Sequence, residues 1–355
     1  MLKIGIVGLP NAGKSTLFNA LVSGTKAAVA IHPFTTIDKN IGVVEVPDPI
    51  LFKLAEIEKI KKVTPTTITF IDIAGLIKGA HQGEGLGNQF LHHIREVDLI
   101  LHVLRFFKNP DVPHVHSNVD PKEDLAIVNQ ELILADLENL EKKLKKEKLT
   151  DKQKEIIKKL INHLNQAPPG HPFLTAAVKP SLAEEEENIV KSLNLLSFKK
   201  QLILANIDEK EIAGPPKKFN NQPILSICAR LEAEICQLPP ADQTKFLKEY
   251  GLEKPAKENL ILSCYQALDL ITFYTIAKRN EARAWPLSRG AKAVAAAGKV
   301  HSDFAQKFIK VEAINAEELI KIGSWHKAKE LGKIGLHGKD YLVADKDVLE
   351  FKIGI

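Results

Sequence analysis

The sequence predicts an α/β protein: a parallel-type sheet built around a phosphate loop, interrupted by a helical hairpin and followed by a small β-grasp module. Three observations predict it. The β-branched run Lys3-Ile4-Gly5-Ile6-Val7 leads directly into Gly8-Leu9-Pro10-Asn11-Ala12-Gly13-Lys14-Ser15 and then into the helical Thr16-Leu17-Phe18-Asn19-Ala20-Leu21. Strand-like and helix-like segments alternate with short connections as far as Leu104, and the same texture returns at Lys200. Between them, from Asp124 onward, apolar residues recur at helical spacing among many charges.

The totals bound the rest. A chain of 355 residues has room for two or three domains. Hydrophobic residues at 45% and charged residues at 26% are ordinary for a globular protein. No apolar run approaches the ~18–20 residues a membrane-spanning helix needs. The first residues enter a strand without a charged region and an apolar stretch before a cleavage site, so no secretory signal is expected. Cys228, Cys236 and Cys264 show no metal or redox spacing, and an odd, sparse set suits a reducing cytoplasm. A net charge of +5 permits an RNA or ribosomal partner without requiring one.

Taken in order, Ile41 to Val46 reads as a strand, Ile50 to Ile60 as a helix with Leu51, Leu54, Ile57 and Ile60 on one face, and Thr66 to Ile73 as a second strand. After the glycine-rich stretch Gly79 to Gly87, Phe90 to Arg95 is helical and Leu99 to Leu104 is a buried strand. Ile133, Leu137, Leu140 and Leu144 mark a long helix from Asp124 to Lys148; Thr150-Asp151-Lys152-Gln153 fits a capping box that starts a second, carrying Ile156, Ile157, Leu160, Ile161 and Leu164. Two such helices joined by a tight turn form an antiparallel hairpin. Its lysine-rich face (Lys142, Lys143, Lys145, Lys146, Lys148) is read as a solvated surface or an RNA contact. A second capping box, Ser181 to Glu184, opens a shorter helix. Gln201 to Ala205 and Pro223 to Cys228 are strands. Leu270 to Ala277 and Glu281 to Leu287 form a hairpin, Ala293 to Phe308 is helical, and Ile309 to Ile314, Lys339 to Val343 and Val348 to Ile353 are short strands.

The spacing Gly, four residues, Gly-Lys-Ser at Gly8–Ser15 is the P-loop pattern. Gly8 and Gly13 let the backbone turn its N–H groups onto phosphate oxygens, and the helix beginning near Lys14 adds its positive end. Asn11, Ala12, Gly13, Lys14, Ser15 and Thr16 are the expected phosphate-binding residues. Lys14 reaches the β and γ phosphates, and the Ser15 hydroxyl holds Mg²⁺. Asp72, ending a strand before Ala74-Gly75, is the expected second Mg²⁺ partner, with the Gly75 amide at the γ phosphate. Thr36, or its neighbour Thr35, supplies a further hydroxyl to the metal; Thr36 is favoured. Leu76 stands where a water-orienting Gln would, so water must be positioned from elsewhere, and His114 is the candidate within the chain. Base choice is read at Asn206-Ile207-Asp208-Glu209. A guanine clamp uses Asn-Lys-x-Asp; here Ile207 and Glu209 replace the Lys and the Asp, which argues for ATP over GTP. Ser226, Ile227 and Cys228 are expected to flank the base.

Together the P-loop, Pro33-Phe34-Thr35-Thr36-Ile37, Asp72-Ile73-Ala74-Gly75-Leu76, Lys78-Gly79-Ala80 with Gly83 to Asn88, and Asn206-x-x-Glu209 resemble the Obg-like ATPases of the YchF subfamily. Glu281-Ala282-Arg283-Ala284-Trp285 and His301-Ser302-Asp303-Phe304 are similar to that family's TGS domain. The resemblance implies a G domain in two parts (1–120 and 200–269), a coiled-coil insertion (121–199) and a TGS domain (270–355). It implies a cytoplasmic Mg²⁺-dependent ATPase that uses GTP poorly, binds ribosomes or their subunits, and acts as a nucleotide-dependent switch in translation or stress regulation. The insertion and the TGS domain would contact rRNA; no membrane partner and a monomer are expected. The resemblance also strengthens His114 as a catalytic residue beside Lys14 and Gly75, and Asn11 matches the P-loop Asn of relatives that use K⁺. The alternatives are a GTPase of ribosome assembly, or a nucleotide-gated scaffold with little turnover. Two departures, Pro286 after Trp285 and His81-Gln82 in the switch loop, lie outside the nucleotide motifs.

Overall fold

The computed structural model describes residues 2–23, 40–73, 86–116, 118–146, 148–166, 184–277 and 280–354. β1 (Leu2–Val7) runs into the phosphate loop and α1 (Lys14–Val22). Then come β2 (Asn40–Glu45), α2 (Pro49–Ile57), β3 (Lys62–Thr64) and β4 (Thr67–Asp72). α3 (Leu86–Arg95) leads to β5 (Leu99–Arg105), buried along its whole length. Helices α4 (Pro121–Lys146), α5 (Asp151–Gln166) and α6 (Glu184–Leu193) precede β6 (Lys200–Asn206). A small ribbon, β7 (Lys218–Phe219) and β8 (Gln222–Pro223), is followed by β9 (Leu225–Ile227), α7 (Ala229–Gln237), α8 (Pro240–Glu249) and α9 (Ala256–Ala267). The chain ends with β10 (Leu270–Ala277), β11 (Glu281–Ser288), α10 (Ala293–Val300), α11 (Ser302–Gln306), β12 (Phe308–Asn315), α12 (Ala316–Ile322), α13 (Trp325–Glu330), β13 (Gly335–His337) and β14 (Asp347–Ile353).

These elements form two compact units, Met1–Val44 with Thr69–Leu260 and Glu45–Ile68 with Ile261–Ile355. The first is built on a six-stranded sheet of order β2-β4-β1-β5-β6-β9, with parallel pairing of β1 to β5, β5 to β6 and β6 to β9. The chain starts at β1 in the interior, fills one side with β4 and β2, then crosses to β5, β6 and β9. The strand order therefore reverses at β1. In such sheets ligands gather beyond the carboxyl ends of the strands at the reversal, and that is where the phosphate loop leaves β1.

The long helix α4 has two jobs along its length. Val128, Leu132 and Ala135 pack into the cluster that covers the sheet beside Val7, Ile71, Ile94 and Ile100. Further on, Leu140 packs with Ile156, Ile157, Leu160 and Leu164 of α5. The expected insertion thus shares its first half with the core of the sheet. Between these halves Asp136 is fully buried and accepts from Leu196 N (3.0 Å), Ser197 N (2.8 Å) and Ser197 Oγ (2.7 Å). The capping box read at Thr150 is present: Thr150 Oγ1 accepts from Gln153 N, and Gln153 Oε1 accepts from Thr150 N. The box read at Ser181 lies outside the described residues.

The second unit is a mixed sheet of order β13-β12-β14-β10-β11-β3. β10 and β11 form the expected antiparallel hairpin, Leu270↔Ser288 to Ala277↔Glu281. Alternation along β10 sends Phe273 to one face with Ala293, Ala296 and Ala297 of α10, and Tyr274 to the other with Leu51 and Leu54 of α2 and Leu319 of α12. Asp48 caps α2 at Leu51 N and accepts from Tyr274 Oη (3.1 Å). So the apolar face read at Leu51 and Leu54 covers this second sheet, and β3 pairs in parallel with β11. Sequence order alone suggested that these residues belong with the neighbouring strands of the first sheet. Lys339 to Val343 is not a strand. Asp347 Oδ2 accepts from Tyr341 Oη and Ala344 N and draws the segment into a loop, leaving one bridge, Lys292↔Leu342.

Candidate nucleotide-binding site

The phosphate loop is held in a conformation that needs its glycines. Gly13 has φ 92°, and a Cβ there would lie 2.1 Å from Asn206 Nδ2; a Cβ on Gly8 would lie 2.4 Å from Val103 O. Asn11 also takes positive φ, 62°, as a short polar residue can. α1 begins at Lys14 with no side-chain cap, so its first N–H groups are left for an anion.

Lys14 is 7% exposed and its Nζ donates to Leu9 O at 2.8 Å. Burial lowers its pKa from 10.5 to about 8, partly offset by the nearby Asp72 carboxylate. The ammonium has lost water and holds one carbonyl; a phosphate would restore its preference for charge. Ser15 Oγ donates to Asp72 Oδ2 at 2.8 Å. The pair places two hard oxygen donors side by side, the chemistry Mg²⁺ takes. Thr36 (with Thr35) and Gly75 lie outside the described residues.

The base side is built where β6 meets α7. Asn206 Nδ2 donates to Ala12 O at 2.9 Å, and its Oδ1 accepts from Ala229 N at 3.1 Å. One buried amide therefore bolts the phosphate loop to the start of α7. A cleft beside it is lined by Gly13, Thr16, Phe107, Asn109, Val112, Asn206, Ile207, Asp208, Glu209, Cys228, Ala229 and Arg230. Of the expected residues, the cleft gathers Gly13, Thr16, Asn206, Ile207, Glu209 and Cys228. Ser226 and Ile227 are not among its walls: Ser226 Oγ donates to Pro216 O at 2.7 Å, and Ile227 is buried in β9. Glu209 Oε1 lies 3.7 Å from Arg230 Nε, which is 3.0 Å from Glu234. Burial raises the Cys228 thiol pKa, so it lines the cleft as a neutral group.

The third part is the loop after β5. Arg105, 2% exposed, donates to the carbonyls of Asn109 (3.1 Å), Val112 (2.9 Å) and Pro113 (3.2 Å), and its guanidinium stacks 4.5 Å from the centre of the Phe107 ring. Asn11 Nδ2 donates to the same Pro113 carbonyl at 3.0 Å. His114 follows at once, with Nε2 3.2 Å from Asp124 Oδ2 and Nδ1 3.2 Å from His116 N. It is not part of the cleft wall. His102 on β5 is fully buried, and its pKa is pushed down to about 3 by burial and by Lys14, so it stays neutral.

Sequence reasoning missed Arg105, Phe107, Asn109, Val112, Asp124 and Arg230. One signal was available for the first group: an arginine closing a buried, mostly apolar strand needs acceptors, and the loop that follows is near enough to supply them. Arg230 carries no such mark.

A sheet with parallel β1, β5, β6 and β9, a P-loop at its strand-order reversal, a Ser–Asp pair beside it and an Asn-x-x-Glu cleft defines a P-loop protein of the GTPase type. The comparisons agree. A family model described as a 50S ribosome-binding GTPase matches residues 3–162, and the YchF GTPase C-terminal model, described as a protein of unknown function, matches residues 270–354. The "Ribosome-binding ATPase YchF" of Bacillus subtilis is 42% identical over 100% of both chains, and that of Haemophilus influenzae 41% identical over 99% of both. A solved structure of the Schizosaccharomyces pombe YchF GTPase superposes with TM-score 0.81 at 31% identity, covering 99% of this chain and 97% of that one. The chain belongs to the YchF family.

Proposed function

We propose that this chain is a cytoplasmic ATP hydrolase that binds ribosomes or ribosomal subunits and uses nucleotide state as a switch in translation or stress regulation. The observation that carries the reading is the altered base cleft: Glu209 and Ile207 stand where a guanine clamp has Asp and Lys, in the wall beside the P-loop. Relatives about 41% identical over their full length carry the name ribosome-binding ATPase, which supports both halves of the proposal.

Lys14 and the loop amides bind the phosphates. Ser15 and Asp72, with Thr36, would hold Mg²⁺, which neutralises charge on the β and γ phosphates. Gly75 meets the γ phosphate through its amide, and K⁺ is the second cation proposed, beside Asn11. Asn206 shapes the cleft rather than reading the base alone, because its amide is already bonded to Ala12 and Ala229. His114 positions the attacking water. The α4–α5 hairpin, as a coiled coil, and the C-terminal unit, as a TGS-type β-grasp module, are the parts assigned to the ribosome, and the protein acts as a monomer.

The name GTPase on the Schizosaccharomyces pombe relative favours a second reading, in which Glu209 still reaches guanine. The proposal is tested by phosphate release from ATP with Mg²⁺, with and without added ribosomes, alongside co-sedimentation. Slow turnover alone and retention on ribosomes are expected. No release from ATP under either condition rejects it.

A further inference from the structure

The His114–Asp124 pair is closed at every point where it could act. Both side chains are nearly sealed from solvent, at 5% and 3% exposed. Nδ1 lies 3.1 Å from His116 O and 3.2 Å from His116 N, and Nε2 lies 3.2 Å from Asp124 Oδ2, so each ring nitrogen faces a protein partner. With both ring nitrogens committed to the protein, neither can meet a water. The backbone leading to this ring is fixed as well, since Pro113 O is held by Arg105 at the end of β5 and by Asn11 of the phosphate loop. His114 is the first residue past that double anchor.

Asp124 is an unusual stabiliser. Its Oδ1 is buried with no partner among the described residues. A buried carboxylate with one bare oxygen is a cost to the fold. What that cost supports is the grip on one histidine.

We propose that Asp124 is a positioning residue that holds His114 withdrawn, and that hydrolysis requires this pair to open. The inference rests on the reading of His114 as the group that positions water. Opening frees both ring nitrogens while Arg105 and Asn11 keep the loop tied to the phosphate loop, so the ring is released close to the nucleotide.

The test uses full-length protein and Mg-ATP. Steady-state hydrolysis is measured for wild type, Asp124→Ala, Asp124→Asn, His114→Ala and the Asp124→Ala/His114→Ala double variant. Long-range ¹H–¹⁵N spectra of the histidine rings are recorded without nucleotide. Wild type and Asp124→Ala are expected to differ at His114 Nε2, the nitrogen that faces Asp124. Loss of the contact is expected to raise kcat about fivefold with KM within about twofold. Asp124→Asn, which keeps an acceptor oxygen, gives a smaller rise, and the double variant falls to the His114→Ala rate. A drop of Asp124→Ala to the His114→Ala rate overturns the proposal, because Asp124 would then assist the reaction. An unchanged kcat with the ring released overturns it too, as does a His114 Nε2 signal that is the same in wild type and in Asp124→Ala. If His114→Ala hydrolyses like wild type, the reading of His114 itself has failed, which is a separate result from a failure at Asp124.

Discussion

Asp136 and Asp124 sit on the same helix, both closed off from water, and they are bonded differently. Asp136 spends both oxygens on three donors of the Leu196–Ser197 turn. Asp124 has one oxygen on His114 and the other on nothing described. Burial raises the pKa of both carboxyls, and hydrogen bonds pull each back. The difference teaches how to separate polar groups that hold this fold from groups poised to act: the first are saturated by backbone, the second are desolvated and left short of partners. Asn206 belongs with Asp136, since its amide is bonded at both ends. Lys14 belongs with Asp124, buried on a single carbonyl.

The contrast is sharpened first by stability. Asp136→Ala strands three donors and is expected to cost roughly 3 kcal/mol, against roughly 1 kcal/mol for Asp124→Ala, by urea unfolding. Equal losses would break the comparison. The next effect is on binding. Lys14→Met is expected to weaken ATP binding about 10²-fold, roughly 2.7 kcal/mol.

Lys14 also fixes a pH dependence. Its folded pKa is lowered to about 8 from 10.5, so the folded protein holds fewer protons than the unfolded chain between those values, and stability without nucleotide rises with pH across that window. Bound triphosphate draws the proton back. Calorimetry at pH 8 in buffers of different ionisation heat should therefore show uptake of about half a proton on ATP binding, and none with Lys14→Met. Equal uptake in both would place the proton elsewhere. The smallest effect concerns the Thr150 box, exposed and local: Thr150→Ala should cost about 1 kcal/mol of stability and leave ATP binding unchanged.

How much of this was legible depends on how local each signal is. The P-loop, the β10–β11 hairpin and the α4–α5 stripes follow from adjacent residues, and they stand where the sequence put them. The destination of α2 and β3 was not legible, because an apolar face at Leu51 and Leu54 shows that a partner exists without naming it. The phosphate half of the site was readable for the same reason as the strand that precedes it. Arg105, Asp124 and Arg230 were not, since each acts through contacts that only the folded loop after β5 or the start of α7 brings together.

The account turns on a base read beside Glu209, and the most direct test is equilibrium binding of ATP and GTP analogues with Mg²⁺ and K⁺ to wild type and to Glu209→Asp. The account predicts at least a tenfold preference for ATP in wild type, about 1.4 kcal/mol, narrowed in Glu209→Asp. A wild-type preference for GTP would contradict it and give the site to guanine.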